Sequence, residues 1–293
     1  MTLEQPGILA PIPALARYLF FDAIPDAQPK LGLRCLKDRD PDPHAVVGLG
    51  HSLISALGVK IAGFREFPVL DGRGVSVLST PCALWCWLRG EDRGELLHRS
   101  RQWVRDFSDV FTLGTVVDAF RFDGGRDLTG FEDGTENPTG ERAAATALVT
   151  GGGAGLDGSS FVAVQRFLHD LDHFEAMQQA EQDGIIGRRK DTNQEIQDAP
   201  LSAHIRRTAQ ESFAPEAFVL RRSMPWAEGM SGGLVFVAFG RSLDAFEAQL
   251  RRMLGLDDGV TDGLFRFTRP VTGSYFWCPP MRGNRLDLSL LGA

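Results

Sequence analysis

Apolar and polar positions alternate along the chain in a pattern that repeats once. Short apolar runs predict strands, and apolar residues spaced three or four apart predict helices. In the first half the order is strand, helix, strand, strand, helix, strand, over residues 16–23, 43–57, 75–78, 83–88, 96–107 and 116–122. The same order recurs over residues 160–168, 171–185, 218–222, 234–239, 242–254 and 264–276. Two such units predict an α+β fold of tandem duplicated ferredoxin-like (βαββαβ) domains with antiparallel sheets.

A glycine-rich segment lies between the two units. Residues 151–155 read Gly-Gly-Gly-Ala-Gly, a composition typical of a flexible connection. They do not form a phosphate-binding loop, because the Gly-Lys-Ser/Thr ending and the helix after it are missing. A chain of 293 residues with 43% hydrophobic content can bury two cores. We therefore place an N-terminal domain at residues 1–140 and a C-terminal domain at 141–293.

Charge and hydropathy restrict the partners. A formal net charge of −7 argues against a nucleic-acid or anionic-membrane partner, since both require a basic surface. No apolar run is long enough to cross a bilayer, and the first residues lack the features of a secretion signal. The sequence therefore predicts a cytoplasmic protein with no membrane partner.

One stretch near the middle of the chain has neither helical nor strand periodicity. Residues 130–138 read Gly-Phe-Glu-Asp-Gly-Thr-Glu-Asn-Pro, with glycines and an Asn-Pro pair that favour turns. Alone, such a segment is most often an acidic surface loop. The longer run 127–138, however, closely resembles the Gly-x-x-Asp-Gly signature of the dye-decolourising (DyP-type) haem peroxidases. The lack of inserts resembles the bacterial class called B.

The resemblance implies a haem b enzyme. One haem per chain would lie mainly in the C-terminal half, held without thioether links because the four cysteines form no Cys-x-x-Cys pair. Such an enzyme reduces hydrogen peroxide and oxidises small phenolic or dye-like aromatic donors through a ferryl intermediate. The aspartate of the signature, Asp133 here, lies over the distal haem face and carries the peroxide proton. A homo-oligomer is also expected.

The iron ligand is one of six histidines: His44, His51, His98, His169, His173 and His204. Spacing alone does not choose among them. We interpret His169 and His173, four residues apart, as the solvated start of a helix. Residues 200–207 resemble the proximal-histidine segment of the family, so the resemblance makes His204 the axial ligand. Residues 261–267 resemble the segment that supplies a hydrogen-bonded acid to that histidine, which is Asp262 here.

The distal cation is predicted from residues 219–226, which resemble the distal-arginine segment of the family. The family pattern selects Arg221, and a cation beside Asp133 would keep that carboxylate ionised. Ser223 occupies the position of an Asn or Ser that holds distal water. Because side chains alternate along a strand, Arg222 is expected to point away and to form a surface ion pair.

Two weaker resemblances add cofactor contacts. Arg188, in residues 186–190, is expected to pair with a haem propionate. Phe236 is expected to line the distal side of the haem pocket. Both residues are more often plain structure than ligand contacts.

Alternative interpretations concern function and assembly. A haem carrier with incidental peroxidase activity is the main rival, and a chlorite-dismutase-like enzyme is disfavoured because that family lacks the Gly-x-x-Asp-Gly loop. Residues 285–293 faintly resemble peptides that direct relatives into encapsulin shells, although a packed terminus is favoured. Five tryptophans and two tyrosines are candidates for electron relays to large donors, although packing is favoured.

Overall fold

Antiparallel strands dominate the part of the chain that the computed structural model describes, residues 3–39 and 42–293. The strands are β1 (Leu15–Ala23), β2 (Ala45–Gly50), β3 (Leu70–Asp71), β4 (Ser76–Val77), β5 (Leu84–Gly90), β6 (Phe111–Phe120), β7 (Ser160–His169), β8 (Leu220–Arg221), β9 (Met224–Glu228), β10 (Ser231–Gly240), β11 (Thr268–Pro270), β12 (Ser274–Cys278), β13 (Met281–Arg282) and β14 (Arg285–Leu286). The helices are α1 (Pro6–Leu9), α2 (Pro29–Asp38), α3 (His51–Ala56), α4 (Arg93–Phe107), α5 (Gly140–Ala147), α6 (Leu171–Ala176), α7 (Gln179–Ile186), α8 (His204–Arg207) and α9 (Asp244–Met253).

The main sheet closes on itself. Strands of the first half are ordered β2-β5-β1-β6, and those of the second half β12-β7-β10-β9. The two sets join at both edges, where Phe276 and Trp277 of β12 pair with β2 and Ala119 of β6 pairs with β9. Closure satisfies backbone groups that two open sheets would leave exposed. The predicted α+β fold with antiparallel sheets is confirmed, but the sheets form one closed barrel and are not separate.

Alternation along the strands creates two packed layers. In β10, Val235, Val237 and Phe239 point into the barrel, while Leu234 and Phe236 point outward. The interior is rich in aromatic rings, among them Tyr18, which stacks on Trp85 and Trp87. Outside the barrel, apolar side chains of α4 and α9 cover the sheet. The barrel therefore carries apolar residues on both faces.

Several predicted boundaries are wrong for one reason. Residues 45–50, expected within a helix, form the fully buried strand β2, and the helix begins only at His51. The preceding helix is α2, which the apolar pattern did not predict. A strand buried on both faces is continuously apolar, so its pattern does not separate it from a buried helix. Residues 75–78 contribute only β4, which pairs with β3 outside the barrel.

Later segments are also subdivided. The helix predicted over 171–185 is two short helices, α6 and α7. The strand predicted over 264–276 begins as a 3₁₀ turn, Gly263–Arg266, and continues as β11 and β12. The terminal residues Leu288 and Leu291 are buried in the outer core, which supports the packed terminus. Among the described residues, no helix has the length and apolar content needed to cross a membrane.

Gly233 lies where β10 packs closely against β7, and a substitution at this position tests that packing. A Cβ at Gly233 would lie 2.0 Å from the carbonyl oxygen of Phe167, a backbone atom that is unable to swing aside. Gly233→Ala is therefore expected to lower the free energy of unfolding by about 1–3 kcal/mol. Gly184, inside α7 with no atom within 4 Å of its Cβ position, is the control. Gly184→Ala should be neutral or stabilising by about 0.5–1 kcal/mol. Denaturant unfolding that gives both variants the same sign would contradict this packing.

Candidate active site

A cavity lies between the outer face of β7 and β10, helix α9, and the loop that carries the Gly-x-x-Asp-Gly motif. The empty space between these elements is about 930 Å³, and this figure includes the part that is open to solvent. Its apolar walls include Phe131, Phe167, Ile186, Leu234, Phe236, Phe246, Leu250, Met253, Leu264 and Phe267. Its polar groups include Asp127, Asp133, Gln165, His169, His204 and Arg221. A few polar groups therefore converge on an apolar space.

The motif loop is built from turns and one apolar anchor. Gly130 and Gly134 adopt φ angles of +83° and +85°, which favour glycine. Between them, Phe131 is buried in a small cluster with Phe174 and Phe267. This anchor holds the loop against the cavity, and Asp133 two residues later lines the wall.

His204 and Asp262 meet at one side of the cavity. His204 opens α8, and its Nδ1 lies 2.8 Å from Oδ2 of Asp262, a residue only 1% exposed. The second oxygen of Asp262 accepts a hydrogen bond from the Leu264 amide, so the carboxylate is fixed. No described residue bonds Nε2 of His204. The pair therefore presents one imidazole nitrogen that is free to bind a metal, oriented by a buried acid.

Asp133 and Arg221 both line the same cavity, although no ion pair joins these two described residues. Burial raises the pKa of Asp133, and the opposing charge of Arg221 does not cancel the effect. Arg221 thus lowers the pKa of Asp133, as expected for a neighbouring cation, but the effect of burial is larger. A raised pKa suits a carboxyl that must take up and return a proton.

The two adjacent arginines are separated as strand alternation predicts, but the environment of Arg222 differs from expectation. Its guanidinium donates to the carbonyl oxygens of Ile8 (3.1 Å) and Leu9 (2.7 Å) at the end of α1. Arg222 is 9% exposed, and burial together with Arg89 lowers its pKa to about 10. The predicted surface ion pair is thus wrong, because α1 covers this face and offers carbonyl groups.

Ser223 lies apart from the main cavity. It lines a polar opening that also contains Asp133 and Arg221, and its Oγ accepts a hydrogen bond of 3.3 Å from the amide of Val237. The opening connects solvent with the wall that Asp133 and Arg221 share. Ser223 therefore borders the approach to these two residues.

The two weaker predictions have different outcomes. Phe236 lines the cavity and packs edge to face on Phe167 at 6.4 Å between ring centroids. Arg188 is not among the lining residues, and its guanidinium pairs with Glu136 at 2.8 Å and Glu195 at 3.6 Å. The structure thus brings Phe236 to the site and leaves Arg188 outside it.

Sequence reasoning missed a second histidine–carboxylate pair in the cavity wall. His169, interpreted as a solvated residue, is buried at the end of β7, with Nε2 3.1 Å from Asp127 and Nδ1 2.7 Å from the hydroxyl of Thr268. Burial alone would raise the pKa of Asp127, but hydrogen bonds from His169 and Thr129 lower it. The sequence did contain a signal for this position of His169. Every second side chain along a strand lies on the same face, so residues 165, 167 and 169 share one face.

The candidate electron relays are all interior residues. Each of the five tryptophans and both tyrosines lies in the described part of the chain and is at most 5% exposed. Trp226 donates to the Phe167 carbonyl, and several of the others stack in the barrel. Each of these side chains is thus part of the packed interior.

Comparisons with known proteins identify the family of this chain. The family model described as Dyp-type peroxidase, C-terminal, matches residues 124–283. A dye-decolorizing peroxidase of Mycobacterium tuberculosis is 30% identical over 93% of this chain and 87% of its own length. A dye-decolorizing protein of V. cholerae has a TM-score of 0.84 at 27% identity, over 98% of both chains. A DypB variant of Rhodococcus jostii RHA1, solved in complex with haem, has the same TM-score and identity over 93% of this chain and 94% of its own.

The closed sheet and the cavity that the motif loop borders thus define a peroxidase architecture. The chain belongs to the DyP-type peroxidase family.

The raised pKa of Asp133 makes a prediction about stability. A carboxyl whose folded-state pKa is raised costs stability when ionised, and the cost disappears as the pH falls toward the ordinary value of 3.8. Asp133→Asn should therefore raise the Tm of the ligand-free protein at pH 7, by a margin that shrinks on acidification. Thermal unfolding at pH 7 and pH 4 measures the increase in Tm and its decrease on acidification.

Asp127 supplies a control of opposite sign. Because its pKa is lowered in the folded state, Asp127 stabilises the fold at pH values above its ordinary pKa. This stability is lost as the pH falls through the folded-state pKa. Asp127→Asn should thus lower the Tm at pH 7. A stabilised Asp127→Asn or a destabilised Asp133→Asn would contradict these electrostatics.

Proposed function

We propose that this protein is a haem b peroxidase that reduces hydrogen peroxide and oxidises small phenolic or dye-like aromatic donors. The observation that carries the proposal is one cavity lined by two chemically different sets of groups. His204, whose ring is oriented by the buried Asp262, lines it together with Asp133 and Arg221. Haem-bound relatives of the same fold support this assignment.

The cavity residues fit a haem. His204 offers an unbonded Nε2 for iron, and the apolar walls suit the porphyrin faces. Gln165 provides an independent indication, since its Nε2 is buried in the cavity wall without a hydrogen-bond partner in the described structure. A buried amide donor needs an acceptor, which a haem carboxylate supplies. We therefore assign one non-covalent haem per chain to His204, Gln165 and the aromatic walls.

The acid behind the proximal histidine controls its chemistry. Nδ1 of His204 donates to Asp262, which fixes the tautomer and makes Nε2 a stronger electron donor. The bound haem supplies the redox-active iron at which peroxide is reduced and the donor oxidised. A strongly donating ligand favours cleavage of the O–O bond over carriage of dioxygen.

The distal residues manage the proton and the charge. We assign Asp133 as the group that accepts a proton from hydrogen peroxide and returns it to the oxygen that leaves as water. Arg221 stabilises the negative charge that develops as the O–O bond breaks. Ser223 borders the polar opening and is proposed to hold water on the peroxide path.

The buried aromatic residues favour small donors. Because no tryptophan or tyrosine is exposed, large dyes have no such residue to contact on the surface. Small phenols can enter the cavity, whose mouth is open to solvent. We therefore infer oxidation at the cavity itself.

We also infer that the chain consists of two ferredoxin-like units, residues 1–140 and 141–293. The matching strand orders of the two halves support this division.

His204 is expected to be required for haem binding. His204→Ala should weaken haem binding and change the absorbance spectrum, because the iron loses its axial nitrogen. His173, which is exposed on α6, is the matched control, and His173→Ala should bind haem normally. Haem titration of the apoprotein, followed by absorbance, measures both. A normal titration and spectrum for His204→Ala would show that another residue is the ligand.

The two arginines should differ in effect. Arg221→Leu is expected to slow the reaction with peroxide by about 100-fold to 1,000-fold, the effect of losing one preorganised charge. Arg222→Leu should leave this rate within a few-fold and lower stability, because Arg222 bonds the end of α1. Stopped-flow absorbance after peroxide addition measures the rates, and thermal unfolding the stability. Unchanged rates for both Arg221→Leu and Asp133→Asn, with haem still bound, would favour the haem carrier.

A further inference from the structure

Two hydrogen bonds join the end of the motif loop to the strand that carries Arg221. Oδ1 of Asn137 accepts from the Arg221 amide at 2.9 Å, and Nδ2 donates to the Arg221 carbonyl at 2.8 Å. The other edge of β8 pairs with β10. A single side-chain amide thus takes the place of a neighbouring strand along the free edge of β8.

A second amide strengthens this connection. Gln210, itself buried, donates to the carbonyl of Glu136 at 3.0 Å and accepts from the amide of Val219 at 3.0 Å. Consecutive residues of the loop, 136 and 137, are therefore tied to the chain on either side of Leu220. These hydrogen bonds fix the loop that carries Asp133 relative to the strand that carries Arg221.

The hydrogen bonds of Arg221 are made by its backbone. No hydrogen bond or ion pair holds its guanidinium to any described residue, so Asn137 and the pairing with β10 hold the backbone from which the guanidinium extends. Asn137 lines the polar opening but not the main cavity. It acts on the site through the backbone of Arg221.

We propose that Asn137 is a positioning residue that sets Arg221 relative to Asp133. This inference rests on the proposed function, in which these two residues act on peroxide. A misplacement of about 1 Å can reduce a rate about 100-fold, so release of the Arg221 backbone should be visible in kinetics. It should also weaken the effect of Arg221 on Asp133, whose pKa would rise further.

A double-mutant cycle in the haem-loaded protein tests the proposal. Asn137→Ala should slow the reaction with peroxide by up to about 100-fold in the native background and by less than two- to three-fold in the Arg221→Leu background. The acid limb of the pH profile should move to higher pH, in the same direction as for Arg221→Leu. If Asn137→Ala does not fold, Asn137→Ser, which puts a shorter hydroxyl group in place of the amide, replaces it.

Asn193 provides the matched control. Its side-chain amide bonds Glu132 and Thr135 of the same loop but not Arg221, and its φ of +55° suits glycine. Asn193→Gly should leave the rate and the pH profile within a few-fold of the native protein. Haem occupancy and Tm are measured for every variant, so that loss of folding is separated from loss of positioning.

The outcomes distinguish failure of the proposed distal cation from failure of the positioning role. If Arg221→Leu alone leaves the rate unchanged, the proposed distal cation fails, and the positioning role fails with it. If Arg221→Leu slows the reaction but Asn137→Ala has no effect, or has an equal effect in both backgrounds, only the positioning role is overturned. An equal loss in Asn193→Gly would likewise overturn it, since the loop as a whole would then be responsible.

Discussion

The pairing of β7 with β10 is the constraint on which the rest of the structure depends. The two strands pair over nine residues and connect the outer strands of the second half. Their inward side chains fill the barrel, and their outward side chains form the cavity wall. Because one set of backbone hydrogen bonds fixes both faces, the position of Gln165, Phe167 and His169 in the cavity is set by the same register that packs the barrel.

The site is completed by the first half of the chain. Strand β6 pairs with β9 at the barrel closure, so the loop that follows β6 emerges beside the cavity of the second half. Contacts that hold that loop include Phe131 in its apolar cluster, Asp127 on His169, and Asn137 on Arg221. A loop with turn conformations at Gly130 and Gly134 gains its fixed shape from such contacts. This explains how a segment without regular structure can hold Asp133 at the cavity wall.

A feature could be predicted from the sequence when it depends on a short stretch of residues. Asp133, His204 and Asp262 were predicted because short segments around them resemble family segments; the structure places Asp133 and His204 at the cavity and Asp262 behind His204. The choice of Arg221 over Arg222 followed from the family pattern together with strand alternation. In contrast, strand β2 was interpreted as a helix because burial on both faces removes its period. The environment of Arg222 and the pairing of His169 with Asp127 depend on contacts between residues far apart in sequence, 214 and 42 positions respectively. Local patterns carry no information about such contacts.

The same distant contacts explain how one cavity can hold carboxyl groups with different protonation behaviour. Asp127 accepts hydrogen bonds from His169 and Thr129, which lower its pKa despite burial. The pKa of Asp133 is raised by burial and by the negative charge of Asp127, although Arg221, His204 and a hydrogen bond from the Gly134 amide act in the opposite direction. Pairs of groups whose pKa values are driven apart are characteristic of acid–base sites. The His169–Asp127 pair thus anchors the motif loop and supplies a fixed negative charge, which favours the protonated form of Asp133. The two carboxyl groups are thus shifted in opposite directions, which supports the proposed proton transfer at Asp133 and not at Asp127.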